Sequence, residues 1–344
     1  MANKLPSVSI IIPCRNEEKY IGKCLDSLIK NNYPKDRLEI LVYDGKSTDS
    51  TKNIVREYEK KYPFIKLKNN SKQFSAFALN KGIKESKGEI IIRCDAHSEY
   101  NENYIKKLVY WLEKDKSIGN VGGIWINKPA NSSCKSKSIA YTLEHKFCVG
   151  PNRFRTGVKR AEEVDTVPFG AWRREIFDKI GFFNEQFLRA QDLEFNMRLK
   201  KAGYKILLDP EIKIYYYPRD SFSKLFKMMF QYGYWKNLVN RELKIISSFR
   251  QLVPPLFVLY LFFSIFVGFL FPPIWLLFLV YLFLCTVFSL EICFKRKDLK
   301  LFPFNFLTFL TCHIGYGLGY LNGLWDVWII RKSDFGRWKS EITR

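Results

Sequence analysis

Acidic residues are scarce relative to basic ones: 34 Asp and Glu stand against 56 Lys and Arg, a net charge of +22 over 344 residues. The cations are scattered through amphipathic segments and gather beside an apolar tail. That pattern argues against a nucleic-acid partner and for an anionic membrane surface. Charge almost disappears from residues 252–330, apart from one loop and Asp326. No Cys-x-x-Cys pair occurs among the eight cysteines. Cys14, Cys24, Cys94 and Cys148 have apolar or helical neighbours and read as reduced packing residues of a cytosolic domain. An internal period is missing, which excludes a repeat architecture. The stretch Met1–Pro13 lacks a long apolar core with a small-residue cleavage site, so it is no signal peptide. The region ahead of the tail is expected to stay in the cytoplasm.

The first half alternates strand and helix patterns. Val8–Pro13 is mostly β-branched and reads as a buried parallel strand. After Asn16-Glu17-Glu18 comes a helix with Ile21, Leu25, Leu28 and Ile29 on one face. Leu38–Asp44 is a second buried strand, followed by GKSTDST and a helix through Ile54 and Val55. Ile65–Lys68 is a weaker strand, Ser75–Glu85 a helix, and Glu89–Cys94 a strand that delivers Asp95 and His97. Strands separated by helices of about a dozen residues imply βαβ units and a parallel sheet. Right-handed crossovers bring the carboxyl ends of such strands to one edge, where open α/β sheets bind ligands.

Asp44 and Asp95 both sit at those ends. Asp44 can accept a base N–H or a ribose hydroxyl, although GKSTDST would also make a well-capped strand-turn-helix corner. Asp95 and His97, one residue apart, offer a hard carboxylate and an imidazole, which suit Mn²⁺ or Mg²⁺ bridging phosphates better than a structural zinc. A third carboxylate stands in Arg189-Ala190-Gln191-Asp192-Leu193-Glu194-Phe195, before a helix over Asn196–Gly203; as a helix-start residue Asp192 could equally be a cap. Upstream, Val167–Arg174 makes an aromatic and cationic corner. Together with Gln191 it suggests an acceptor pocket containing Trp172 and Arg173, unless the two arginines are solvated helix charges.

Leu252–Phe271 and Ile274–Leu290 are charge-free runs of about the length that a hydrocarbon core requires. Phe271-Pro272-Pro273 joins them into a hairpin. Arg250 and Lys295-Arg296-Lys297 flank it, so both ends should face the cytoplasm. Leu301–Ile330 is apolar but interrupted by Gly315, Gly317, Gly319 and Gly323. A re-entrant or two-piece segment is expected there, returning the basic tail 331–344 to the cytoplasm. Phe222, Leu225, Phe226, Met229 and Phe230 recur at helical spacing with Lys224 and Lys227 off that face. This fits an interfacial amphipathic helix or, alternatively, a core-packing helix of the soluble domain. Gln231 to Trp235 then places amide and aromatics where a membrane-borne substrate would enter.

Five motifs occur in order: VSIIIPCRNEE, DGKSTDST, RCDAHSEY, FGAWRRE and QDLEFNMRLKKAG. With them the chain resembles glycosyltransferase family 2 over about residues 7–240, and within that family the succinoglycan-type exopolysaccharide enzymes. The resemblance implies an α/β fold class: a GT-A, Rossmann-like nucleotide-diphospho-sugar transferase domain followed by α-helical transmembrane segments. Its parts would be a catalytic domain at 1–220, interfacial helices at 221–250, the membrane hairpin and Gly-interrupted segment at 251–330, and the tail at 331–344. On the resemblance Asp44 binds uracil, Pro13, Arg15 and Glu17 form the nucleotide-binding turn, Asp95 and His97 hold Mn²⁺ or Mg²⁺ on the diphosphate, and Asp192 is the catalytic base.

Two departures qualify it. His97 stands where the commoner pattern has a second Asp. Tyr234 replaces the Arg of the processive synthases' Gln-x-x-Arg-Trp, here Gln231 to Trp235, which favours single-sugar addition. The implied reaction is inverting transfer from a UDP-sugar, expected to be a UDP-hexose, to a polyprenyl-linked saccharide at the plasma membrane. A polyprenyl-phosphate glycosyltransferase and a non-catalytic nucleotide-sugar-binding scaffold are the alternatives.

Overall fold

The structure, a computed structural model, describes residues 5–244 and 249–331; the basic tail beyond Arg331 lies outside the described residues. In chain order the elements are β1 (Val8–Cys14), α1 (Ile21–Ile29), β2 (Leu38–Asp44), α2 (Thr51–Lys61), β3 (Ile65–Asn69), α3 (Ser75–Glu85), β4 (Ile90–Arg93), β5 (Ser98–Tyr100), α4 (Tyr104–Lys114) and β6 (Ile118–Asn127). Next come α5 (Cys134–Thr142), α6 (Lys146–Val149), α7 (Arg153–Thr156), β7 (Glu162–Glu163), β8 (Gly170–Arg173), α8 (Glu175–Ile180), α9 (Gln191–Lys201) and β9 (Lys205–Tyr216). Four long helices follow: α10 (Phe222–Leu243), α11 (Val253–Val267), α12 (Trp275–Arg296) and α13 (Phe302–Leu324). The described residues divide into two compact units, 5–126 with 157–216, and 127–156 with 217–331.

The first unit is built on a mixed sheet in the order β3-β2-β1-β4-β8-β6-β9-β5, with β7 paired to β9. β3, β2, β1 and β4 run parallel, as the strand-helix alternation requires. Ile10, Ile12, Ile40, Val42, Ile90 and Ile92 are buried on one alternation of these strands. Ile11, Leu41, Tyr43 and Ile91 on the other pack with Leu79 and Ile83 of α3, Ile176 of α8, and Phe195 and Leu199 of α9. Both faces are therefore covered, which accounts for the unbroken apolar runs. The register sets Cys14 opposite Asp44 and Ile11 opposite Arg93, so the ends of β1, β2 and β4 share one edge.

β8 is the element that the sequence hid. It lies antiparallel to β4, pairing Gly170 with Arg93 and Trp172 with Ile91. Phe169 (φ 60°) and Gly170 (φ 110°) turn the chain into it through the left-handed region. A Cβ on Gly170 would meet the Asn120 side chain at 2.2 Å, so glycine is required by space as well as by φ.

In the second unit, α13 and the helical turns before and after it form one uninterrupted helical run from Leu299 to Ile329, long and apolar enough to cross a membrane; so are Phe249–Val267 and Pro272–Arg296. The break expected at the glycines does not occur. Gly315, Gly319 and Gly323 instead form a stripe at four-residue spacing that admits the backbone of α10. A Cβ on Gly319 would sit 2.0 Å from the carbonyl oxygen of Phe230, and one on Gly233 2.1 Å from that of Tyr316. Close packing of backbones offsets the weak helix propensity of glycine. Leu225, Met228 and Met229 of α10 are buried with Phe309 and Cys312 of the same unit, rather than in the core of the first unit, whereas Phe226 stays exposed. The Tyr234 hydroxyl donates to the buried Asp326 carboxylate at 2.8 Å.

Candidate active site

The turns after β1 and β2 are laced together. Asn16, in the left-handed region, donates its amide to Ser47 Oγ at 2.9 Å and accepts from the Thr48 amide at 2.8 Å. The Glu17 amide donates to Thr51 Oγ1 at 2.7 Å, and the Glu18 amide to Asp49 at 3.1 Å. Hydrogen bonds from the Thr51 hydroxyl and amide hold the Asp49 carboxyl below its usual range, against the upward pull of burial. Pro13 and Arg15 enter this double turn half-buried, and Arg15 Nε is enclosed with no acceptor among the described residues. Asp44 is wholly buried; its carboxylate accepts from the Ser47 amide at 3.2 Å, and the Lys52 ammonium lies 3.6 Å away.

Two residues after β4, the Asp95 backbone is fixed from both sides: its amide donates to the Tyr100 hydroxyl at 2.7 Å, and that hydroxyl returns a bond to the Asp95 carbonyl at 3.2 Å. His97 packs on Tyr216 with ring centroids 5.2 Å apart, and its Nδ1 lies 3.0 Å from the buried Glu17 carboxylate. Glu17, expected in the nucleotide turn, thus orients the imidazole.

Arg93, which the sequence reading passed over, joins the two halves of the site. Its Nη1 donates to Asp192 Oδ1 at 2.6 Å and its Nη2 to Asp95 Oδ1 at 3.3 Å. Burial would pull the guanidinium down; the charges of Asp192 and Asp95 outweigh it and hold Arg93 protonated. Both carboxylates keep a window to solvent, Asp95 at 20% and Asp192 at 25% side-chain exposure, while Arg93 has 7%. A charged residue inside an otherwise apolar strand, two positions before Asp95, was the available signal.

The acceptor residues inferred from the sequence fare differently. Trp172, only 1% exposed, packs edge-on against Phe177, Phe183 and Phe195 in the core. Arg173 is also buried, its guanidinium donating to the carbonyls of Leu112, Lys116 and Ile118. Both are corrected to structural roles. β8 alternates its side chains into layers on both sides of the sheet, which buries both residues. Gln191 is buried and donates to Ser75 Oγ at 2.7 Å, tying α9 to α3. Glu194, beside Asp192, is buried and held by Arg198 at 2.6 Å. Gln231 and Trp235 lie buried on α10 in the second unit.

No group of three or more His, Cys, Asp or Glu side chains is gathered for a metal ion among the described residues. Asp95 and His97 nevertheless fit the sparser arrangement in which one or two side chains share a divalent cation with substrate phosphates. An imidazole steadied through one nitrogen by a carboxylate, as Glu17 steadies His97, is the usual setting of a metal-binding histidine.

Comparison with known proteins agrees with this architecture. Residues 9–181 match the family described as Glycosyl transferase family 2. A dolichyl N-acetyl-alpha-D-glucosaminyl phosphate 3-beta-D-2,3-diacetamido-2,3-dideoxy-beta-D-glucuronosyltransferase of Methanococcus voltae is 33% identical over 318 residues, 90% of this chain and 95% of the relative. The succinoglycan biosynthesis protein ExoA of Rhizobium meliloti is 28% identical over 257 residues, 74% of this chain and 76% of its own. The mannosyltransferase PcManGT of Pyrobaculum calidifontis, solved with GDP-Man and Mn²⁺, shares the fold with a TM-score of 0.64 at 19% identity, over 94% of this chain and 88% of that one. The chain belongs to glycosyltransferase family 2, with a GT-A domain followed by long apolar helices.

Proposed function

We propose that the enzyme transfers one sugar, a hexose or hexose derivative, from a UDP-sugar to a lipid-linked saccharide, with inversion at the anomeric carbon. The observation that carries this reading is the shared anchoring of Asp95 and Asp192 on Arg93. Each spends Oδ1 on the guanidinium, and neither Oδ2 receives a hydrogen bond among the described residues. One carboxylate is thereby available to hold a divalent cation for the donor and the other to accept a proton from an acceptor hydroxyl, within the span of a single side chain.

Asp192 takes the proton from that hydroxyl as its oxygen attacks the anomeric carbon and the UDP oxygen leaves from the opposite face. One base and one displacement invert the centre, so an α-linked donor yields a β-glycoside. Asp95 and His97 would hold Mn²⁺ or Mg²⁺, which supplies positive charge against the charge developing on the diphosphate. Arg15, with its enclosed Nε, is a further donor for nucleotide oxygens, and Asp44 recognises the base. The name of the M. voltae relative, a β-transfer onto a dolichyl-phosphate-linked sugar, supports a lipid-linked saccharide over a bare lipid phosphate as acceptor. The basic residues Lys295, Arg296 and Lys297 at the end of α12 support a cytoplasmic catalytic domain beside anionic lipid.

The test incubates the purified full chain with Mn²⁺, radiolabelled UDP-sugars and native membrane lipid extract, and reads the product by mass. A lipid-linked saccharide lengthened by one sugar is expected. Product formed on polyprenyl phosphate alone would make it a lipid-phosphate glycosyltransferase. UDP-sugar bound but never cleaved would make it a scaffold.

A further inference from the structure

The geometry points to Arg93 as the positioning residue of the base: its guanidinium fixes the Asp192 carboxylate beside Asp95, so that the acceptor and donor sides of the reaction share one anchor. This rests on the reading of Asp192 as base.

Arg93 lies on β4, between β1 and β8, at the carboxyl edge of the parallel strands. A buried guanidinium is costly unless paired, and the fold supplies two kinds of pairing. Arg173 and Arg174 show the structural kind: their nitrogens are spent mainly on backbone carbonyls, those of Leu112, Lys116 and Ile118 for the first and Gly88, Ile83 and Ser86 for the second. Arg93 is spent differently. Both its terminal nitrogens go to partly exposed carboxylates, and its Nε has no acceptor among the described residues. Its guanidinium carbon lies 5.5 Å from the ring centroid of Phe169, a buried residue at the left-handed entry to β8.

Asp192 depends on this contact. It lies in the first turn of α9, after Ala190, whose φ of 61° caps the helix without a side-chain hydrogen bond. The bond from Arg93 is the one hydrogen bond that its carboxylate makes among the described residues. Without it the side chain would be left to its rotamers. A planar fork with several fixed donors can hold two carboxylates at once, whereas an ammonium is a single flexible point charge.

The experiment is a double-mutant cycle on the purified full chain, read as kcat and donor KM with the UDP-sugar selected above and lipid extract as acceptor. Arg93→Gln is expected to lower kcat about 10- to 100-fold, the cost of a misplaced reacting group, and to raise donor KM as well, because Asp95 loses the same anchor. Arg93→Lys should restore the rate to within about tenfold of the parent, through one charged donor. In an Asp192→Asn background, Arg93→Gln should lower kcat less than about twofold, because there is no longer a base to position, while the rise in donor KM through Asp95 persists. Equal losses of kcat in both backgrounds, with Asp192→Asn itself slow, would overturn the positioning role and leave the base reading standing. A near-parental rate for Asp192→Asn would overturn the base reading itself, and this inference with it. Should Arg93→Gln fail to fold, the cycle is run with Arg93→Lys, whose smaller loss must likewise vanish beside Asp192→Asn.

Discussion

Arg93 and Asp192 are 99 positions apart in sequence and meet through a 2.6 Å ion pair at the carboxyl edge of the sheet. Glu194, two residues after Asp192, is instead buried and bound by Arg198 through both carboxylate oxygens, at 2.6 and 2.9 Å. The two acids of one helical turn are therefore held differently. Asp192→Asn keeps an oxygen for Arg93 and, on the proposal that Asp192 is the base, removes the proton acceptor. Transfer is expected to fall by ~10²–10⁴-fold, with UDP affinity, measured calorimetrically, within about threefold of the parent. Glu194→Gln should do the reverse, lowering the melting temperature while activity per folded molecule stays within about threefold. A swapped pattern would make Glu194 the base.

The legibility of this site in the sequence followed a physical rule. Asp44 and Asp95 were visible because a carboxylate ending an apolar strand has no packing reason to be there. Arg93 carried only the signal of a charge inside an apolar strand beside Asp95; its shorter pairing, to Asp192 on α9, is 99 positions away, and no local pattern announces a partner that distant. Trp172 and Arg173 were misread because an aromatic and a cation side by side describe a buried antiparallel strand as well as a pocket wall. A four-residue strand is too short for its alternation to decide. The glycines of α13 were read as breaks, which is what glycine does to an isolated helix; the α10 backbone that fills their place is a tertiary fact.

Glu17 and His97 supply a test of the metal-binding reading apart from Asp95. Their 3.0 Å contact fixes the ring, and removing such a carboxylate typically weakens metal binding 10–100-fold. Glu17→Gln is therefore expected to raise the Mn²⁺ concentration needed for half-maximal activity by about tenfold. The maximal rate at saturating Mn²⁺ should stay within about threefold of the parent. Chelation with EDTA should abolish transfer and added Mn²⁺ restore it; full activity in excess EDTA would remove the cation from the mechanism.

Lys236 makes stability depend on pH in a direction opposite to that of an ordinary paired lysine. On α10 it has no carboxylate partner among the described residues, and burial pulls its amine down to about 8. The unfolded chain keeps the ordinary value of 10.5. Protonation thus favours the unfolded chain. The penalty on the fold is complete below about pH 8 and fades as pH rises towards 10.5. Lys236→Met should stabilise the detergent-solubilised protein by about 1–2 kcal/mol at pH 7. The gain should shrink steadily between pH 8 and 10.5 in melting experiments. A gain independent of pH would assign it to the added apolar packing alone.

The glycine stripe of α13 makes the sharpest prediction about the second unit. A Cβ on Gly319 would lie 2.0 Å from the carbonyl oxygen of Phe230 and 2.7 Å from its Cα, backbone atoms of α10 that no rotamer change can move. Gly319→Ala must separate the two helices, and Gly319→Leu must separate them further. Leu318, the neighbour on the exposed side, controls for helix propensity, since Leu318→Ala changes the side chain without touching that contact. Overpacking of this kind costs about 1–3 kcal/mol or more. Melting temperature should therefore fall in the order Leu318→Ala, Gly319→Ala, Gly319→Leu, with the first near the parent. If Gly319→Leu melts with the parent, α10 does not rest on the stripe, and the glycines return to their sequence reading as a break in the segment.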